Sequence, residues 1–271
     1  MTAHSSIEEA LGIDELRGAL LEHSRRAYAL LPSFDRPRIL DIGCGSGLPT
    51  IELARLSGGT VVGIDIDESA LARLRQRIRE ARLASQVTAV NVSLYDTGFP
   101  DDCFEIIWDE GVLHTLDLSR SLRECHRLLK AGGILAVGET ACWFETVRDR
   151  IGAFGFRLLT EHLLPTHCWW TDYYARLETR IRVLRETHGD AFSSTDLARY
   201  EREVAMVKSD PGRFDCGFYL VQKIAPLPRG PGGSAGASLS ATAAWVLFPL
   251  LTLRLMAVTF LMILTPMTRR L

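Results

Sequence analysis

A short apolar run, Ile39-Leu40-Asp41, leads straight into glycine at every second position, Gly43, Gly45 and Gly47, followed by helical periodicity. Few folds accept that order. The chain must leave a strand, turn tightly where a Cβ would obstruct close approach, and open a helix at once. The first turn of such a helix presents unpaired N–H groups to whatever lies above it. Twenty-four residues beyond Asp41, the run Val61-Val62-Gly63-Ile64 ends in Asp65. It is apolar until its acidic end, as a parallel strand buried on both faces should be. Asp65 then stands where a carboxylate accepts hydrogen bonds from two ribose hydroxyls, at the switch point of an open sheet. The dinucleotide fingerprint Gly-x-Gly-x-x-Gly requires a third glycine where this chain has Leu48. That mismatch weighs against a pyrophosphate over the loop, and so against an NAD(P)-dependent oxidoreductase.

Around this loop, short β-type runs alternate with helical ones, which predicts βαβ units and a parallel sheet between residues 35 and 139. Asp67-Glu68-Ser69 starts a helix with Leu71, Leu74, Ile78 and Leu83 on one face. Val87 to Val90 and Glu105 to Trp108 read as the third and fourth strands, and Ile134 to Gly138 as the fifth. Between them a helix is expected over Ser119 to Lys130, stopped by Gly132-Gly133. Ile7 to Leu30 reads as one or two amphipathic helices. Beyond Glu139, Phe156 to Leu163 and Phe218 to Gln222 are strand-like, and Trp169 to Glu186 and Thr195 to Lys208 helical. The domain plan is a helical cap over 1–34, a main domain over 35–224, a Pro/Gly/Ser-rich linker over 225–240 and a hydrophobic tail over 241–271.

A net charge of −2 and the lack of any Lys/Arg run argue against nucleic acid as a partner. Six scattered cysteines without a Cys-x-x-Cys pair, behind a polar N-terminus, lead us to expect a reducing, cytoplasmic setting. His162, His167 and Cys168 are close in sequence, but no fourth ligand accompanies them, so no metal is expected. From Ala241 to Met267 the sole charge is Arg254. The stretch is long enough to cross a bilayer, although a central arginine costs roughly 2.5–3.5 kcal/mol on insertion and Pro249 interrupts it. An anchor, an interfacial hairpin and a helix buried on the domain are the three readings. The first two place the chain at the inner face of a membrane.

Taken together, the motifs resemble those of class I S-adenosylmethionine-dependent methyltransferases, in their small-molecule group. Ile39 to Leu48 is similar to that family's first motif and Val61 to Asp65 to its second. Phe99-Pro-Asp-Asp-Cys-Phe-Glu-Ile106 is similar to the stretch entering its fourth strand. Trp108 to His114 and Leu128 to Leu135 are similar to the loop after that strand and the glycine turn before the fifth. The likeness covers about Pro37 to Glu139. It implies an α/β, Rossmann-like, doubly wound and mostly parallel seven-stranded sheet with helices on both faces, to which the C-terminal hydrophobic segment is appended. It also implies S-adenosyl-L-methionine as cofactor, with Gly43, Gly45 and Gly47 beneath it and Asp41 near its amino group. Asp65 would hold the ribose, Ile66 would flank the adenine and Glu110 would face the methionine part. Where the family often has an acid before the adenine-contacting turn this chain has Ser93. Ser93 with Leu94, or alternatively Asp96, is the candidate there.

The implied reaction is direct SN2 methyl transfer to O, N, C or S of a small-molecule acceptor, a lipophilic one if the chain meets a membrane. Positioning does most of that work, and a base is needed only for an acceptor proton of high pKa. His114, just after the fourth strand, and His167 are the candidate bases. Trp143, Trp169, Trp170, Tyr173 and Tyr174 are candidates to wall the acceptor, with helix packing as the plain alternative. A regulatory or scaffold protein that binds the cofactor without catalysis uses the same fold equally well.

Overall fold

The computed structural model describes residues 3–188 and 194–224. Three short helices come first: α1 (Ala3–Leu11), α2 (Ile13–Gly18) and α3 (Leu21–Ala29). The α/β succession follows as β1 (Arg38–Ile42), α4 (Leu48–Ser57), β2 (Thr60–Asp65), α5 (Glu68–Glu80), β3 (Val87–Asn91), β4 (Phe104–Glu110), α6 (Leu118–Leu128) and β5 (Leu129–Thr140). The chain then runs through α7 (Ala141–Val147), β6 (Phe156–Leu163), a π-helical turn (Trp169–Tyr174), α8 (Ala175–His188), α9 (Ser194–Ser209) and β7 (Cys216–Lys223).

The seven strands form one sheet in the order β3-β2-β1-β4-β5-β7-β6. The pairs among β1 to β5 are parallel, and β7 runs antiparallel to both β5 and β6. This is the doubly wound, mostly parallel sheet expected from the sequence, with β1 and β4 side by side where the strand order reverses.

Alternation along the strands builds a core on each face. Leu40, Ile42, Ile107 and Leu135 pack with Leu122, Cys125 and Phe144 from α6 and α7. Ile39, Val61, Ile106, Trp108 and Ile134 pack with Leu53, Leu71 and Leu74 from α4 and α5. A third core lies off the sheet, where Ile7, Leu11 and Leu16 of the N-terminal helices meet Tyr173, Tyr174, Leu177, Leu197 and Tyr200. The cap is therefore three helices rather than one or two, and it packs on the late helices as well as on the α/β core.

One boundary differs from expectation. The helix before the fifth strand ends at Leu128, because Leu129 is already extended (φ −73°, ψ 139°) and pairs with Phe104. Gly132-Gly133 does not cap that helix. The two glycines sit within β5, in a register shift that takes the pairing from Phe104↔Leu129 to Ile106↔Ile134. There Gly132 adopts φ +76°, and a Cβ on Gly133 would come within 2.9 Å of the Lys130 carbonyl oxygen. The expected linker and hydrophobic tail, 225–271, lie outside the described residues.

Candidate active site

The carboxyl ends of β1, β4 and β5 open into a cavity of about 630 Å³, roofed by the N-terminal helices and by the segments that follow β5. Its floor is the glycine loop. Gly43, Gly45 and Gly47 all have positive φ (+61°, +55° and +84°), which L side chains adopt only at a cost. Packing excludes a Cβ at two of them: it would lie 2.5 Å from Val112 Cγ2 at Gly43 and 2.2 Å from Leu74 Cδ1 at Gly47. At Gly45 a Cβ would meet no atom within 4 Å, so bare backbone faces open space over the loop. The loop is held by Asp65, whose Oδ2 accepts from Gly45 N at 3.0 Å and whose Oδ1 accepts from Asp67 N at 2.6 Å. Asp67 in turn caps α5 by accepting from Ser69 N and Ala70 N.

Two carboxylates, Asp41 buried and Glu110 half-buried, line the cavity beside this floor. Asp41, at the end of β1, accepts from Thr50 Oγ1 at 2.6 Å. Burial pushes its pKa up to about 7, against the Thr50 bond and with help from the charge on Glu110. Glu110, at the end of β4, accepts from Trp108 Nε1 and from Ser24 Oγ, each at 2.8 Å. Burial raises its pKa too, despite both bonds. Carboxylates so desolvated favour a ligand that brings positive charge.

An acid–histidine pair also lines the cavity. His114 Nδ1 stands 2.8 and 3.0 Å from the two oxygens of Glu139, and the His114 backbone N–H donates to the same carboxylate at 3.2 Å. Asp109 fixes the loop that carries the histidine, its Oδ1 accepting from Val112 N and Leu113 N at 3.1 Å each. Burial and the adjacent Glu139 hold Asp109 well above the usual carboxylate range.

The remaining wall is aromatic. Phe144 stacks on Tyr219 with ring centroids 3.6 Å apart, which anchors α7 and leaves its neighbour Trp143 on the cavity. Trp169, Tyr173 and Tyr174 come from the π turn and pack edge-on or tilted against one another. Trp169 Nε1 is fixed by Cys216 Sγ at 2.7 Å. Arg17 from α2 and Tyr200 and Glu203 from α9 complete the far end, and burial raises the Glu203 pKa.

Residues 40–137 match the model of the methyltransferase domain family. Over that segment the chain resembles a methyltransferase domain, for which S-adenosylmethionine is the cofactor. Over 115 residues it is 33% identical to the 27-O-demethylrifamycin SV methyltransferase of Amycolatopsis mediterranei, covering 42% of this chain and 42% of that protein. The ubiquinone/menaquinone biosynthesis C-methyltransferase UbiE of Proteus mirabilis is 36% identical over 131 residues, 47% of this chain and 51% of that one. These matches span about half the length of the curated relatives or less. Among solved structures, the [4+2]-cyclase SpnF shares the fold, with a TM-score of 0.64 at 20% identity over 75% of this chain and 81% of that one.

The residues of this segment suit S-adenosylmethionine, which supplies a methyl group on a positively charged sulfur and also carries an ammonium group. The open space over Gly45 and the carboxylates Asp41 and Glu110 offer such a molecule a bare backbone floor and a seat for positive charge. Asp41, Gly43, Gly45, Gly47 and Glu110 thus come together as the sequence led us to expect. Asp65 ends β2 but is 2% exposed and already bonded to two backbone amides, so its ordering of the loop is what the geometry displays. Ile66 is 63% exposed beyond that strand, an apolar side chain without cover on its outer face. Ser93 accepts from Tyr95 N and caps a short 3₁₀ turn that buries Leu94. Neither residue is among those lining the cavity, and nor is Asp96.

On the acceptor side, Trp143, Trp169, Tyr173, Tyr174 and His114 line the cavity; His167 and Trp170 do not. His167 is exposed at φ +62°, its backbone N–H held by Asp215 Oδ1 at 2.6 Å, on the outer side of the turn entering the π helix. Trp170 faces α9, with Lys208 Nζ 5.5 Å from its ring centroid. Adjacent side chains on a helical turn do not share a face, so Trp169 and Trp170 part company. Glu139, Ser24, Arg17 and Glu203 were missed. Glu139 had a signal, a carboxylate ending a central strand at the ligand-binding edge. The other three are brought in by helices whose docking no local pattern announces.

Proposed function

We propose that this protein transfers a methyl group from S-adenosylmethionine to a lipophilic small molecule, by direct displacement inside the cavity. The observation that carries the reading is the continuity of one enclosed space. It runs from the glycine floor and the Asp41–Glu110 pair to the wall of Trp143, Trp169, Tyr173 and Tyr174. Enclosure by aromatic rings suits an apolar acceptor, and holding it in line with the methyl group supplies much of the rate. Relatives named for a rifamycin and for quinones lend support to an apolar acceptor. The test is incubation of the full chain with methyl-labelled S-adenosylmethionine and a metabolite extract. Label in a small, organic-extractable product supports the reading, and label that never leaves the donor refutes it.

We further propose a cytoplasmic protein drawn to the inner face of a membrane by 241–267, which would deliver such an acceptor. Fractionating cells that express the full chain or residues 1–228 tests this. If both partition equally into the soluble fraction, the association is excluded.

A further inference from the structure

We infer that His114 and Glu139 form a general-base dyad and that the acceptor therefore presents a hydroxyl group. This deepens the reading above and rests on it. Glu139 is 4% exposed and both its oxygens lie within 3.0 Å of His114 Nδ1, so that nitrogen carries the hydrogen and donates it. The other ring nitrogen, Nε2, is then a lone pair. It is buried and has no hydrogen-bond partner among the described residues, and the residue lines the cavity. A buried acceptor atom left without a donor is costly, and a ligand hydroxyl is the group that satisfies it.

The ring is also rigidly aimed. Its backbone N–H is held by the same carboxylate, and the loop around it by Asp109. Asp109 is a positioning residue here, since it touches the loop rather than the cavity. Glu110, also lining the cavity, belongs to the donor seat, and its Oε1 accepts from both Trp108 and Ser24. His114 thus lines the same cavity as the donor seat and the aromatic wall, with Nε2 left without a partner among the described residues.

That placement discriminates among acceptors. A neutral amine or a thioether attacks without prior proton removal, and a fixed base adds little. A hydroxyl is a weak nucleophile until its proton leaves. As the O–H bond breaks toward Nε2, the oxygen forms its bond to the methyl carbon. The carbon–sulfur bond breaks and sulfur keeps the electron pair as a neutral thioether. The imidazolium that results is stabilised by Glu139 and later returns its proton to water.

Two measurements on the full chain test the dyad. In the first, ¹⁵N NMR of the histidines without cofactor should show His114 as the Nδ1–H tautomer, and Glu139→Gln should abolish that preference. An Nε2–H tautomer in the unsubstituted protein overturns the proposal. In the second, methyl-¹³C-S-adenosylmethionine is incubated with a metabolite extract, and the carbon shift of the product identifies its bond. A methoxy product is expected. His114→Gln should lower its formation by roughly 10²–10³-fold while cofactor binding is unchanged. The residual rate should climb with pH as the acceptor's own hydroxyl ionises, a response that a merely structural histidine would not create. Methyl on nitrogen, sulfur or carbon overturns the hydroxyl assignment and leaves methyl transfer standing. Complete absence of transfer, with the Nδ1–H tautomer present, instead refutes the proposed function and leaves the dyad's geometry intact.

Discussion

At the donor end of the cavity, the floor and its first carboxylate come from seven consecutive positions, Asp41 to Gly47, where β1 turns into α4. At the acceptor end, Arg17, Trp143, Trp169, Tyr174 and Glu203 arrive from four separate elements spread over most of the chain. The first region is specified by backbone conformation and close approach, so its residue types are nearly forced. The second is specified by helix docking against a third core of its own. There, many side chains would fill the same space. A fold of this kind can keep one end of its cavity while the other changes.

Substitutions should separate the two ends. The largest effect is expected at the donor floor. Gly45→Val puts a β-branched side chain at φ +55° and into the open space above the loop. Calorimetry should register loss of S-adenosylmethionine binding by about 100-fold or more, given strain of roughly 1–2 kcal/mol before any clash with ligand. The melting temperature should fall by only about 2–8 °C. Retained affinity would mean that the cofactor does not lie over Gly45.

Next in size is a pH effect at the same end. Asp41 must be ionised to hold a cation, and its pKa in the unliganded fold is about 7. Cofactor affinity should therefore weaken as pH falls through that value, by up to about tenfold per pH unit, with proton release on binding at and below it. Asp41→Asn should flatten the dependence. The sign for stability is opposite. A carboxyl raised in the folded state favours folding most below its unfolded pKa, so the unliganded protein should lose this contribution as pH rises toward and past about 7. Thermal melts across that window check the direction, and a melting temperature rising with pH there would contradict it unless other groups titrate in the same window.

Effects at the acceptor end should be smaller and of another kind. Trp169→Ala should raise the acceptor KM by roughly tenfold, about 1.4 kcal/mol of contact, with the cofactor Kd unchanged. Trp170→Ala should leave the acceptor KM within about twofold, because that ring faces α9 and Lys208. Equal responses from the two tryptophans would erase the distinction that the π turn draws between them.

The same contrast explains what could be read before the structure was known. The parallel α/β succession followed from alternating β and helical runs, and the glycine floor from residues that tolerate positive φ. Asp41 and Glu110 were named from the resemblance to methyltransferase motifs, and both line the cavity. Trp170 and His167 do not line it, because adjacent side chains on a helical turn face different ways and His167 sits at a left-handed residue before that turn. Gly132-Gly133 was mistaken for a helix stop, since glycine marks a strand irregularity as well as a cap. Ser24 bonding Glu110 across 86 residues leaves no local trace at all.

The account turns on the glycine loop being a seat for S-adenosylmethionine. Titration calorimetry of the full chain with S-adenosylmethionine and, separately, with NAD and NADP puts that to the test. The expected result is saturable binding of S-adenosylmethionine with one site per chain and no heat from either nicotinamide. Tight nicotinamide binding with no response to S-adenosylmethionine would contradict it.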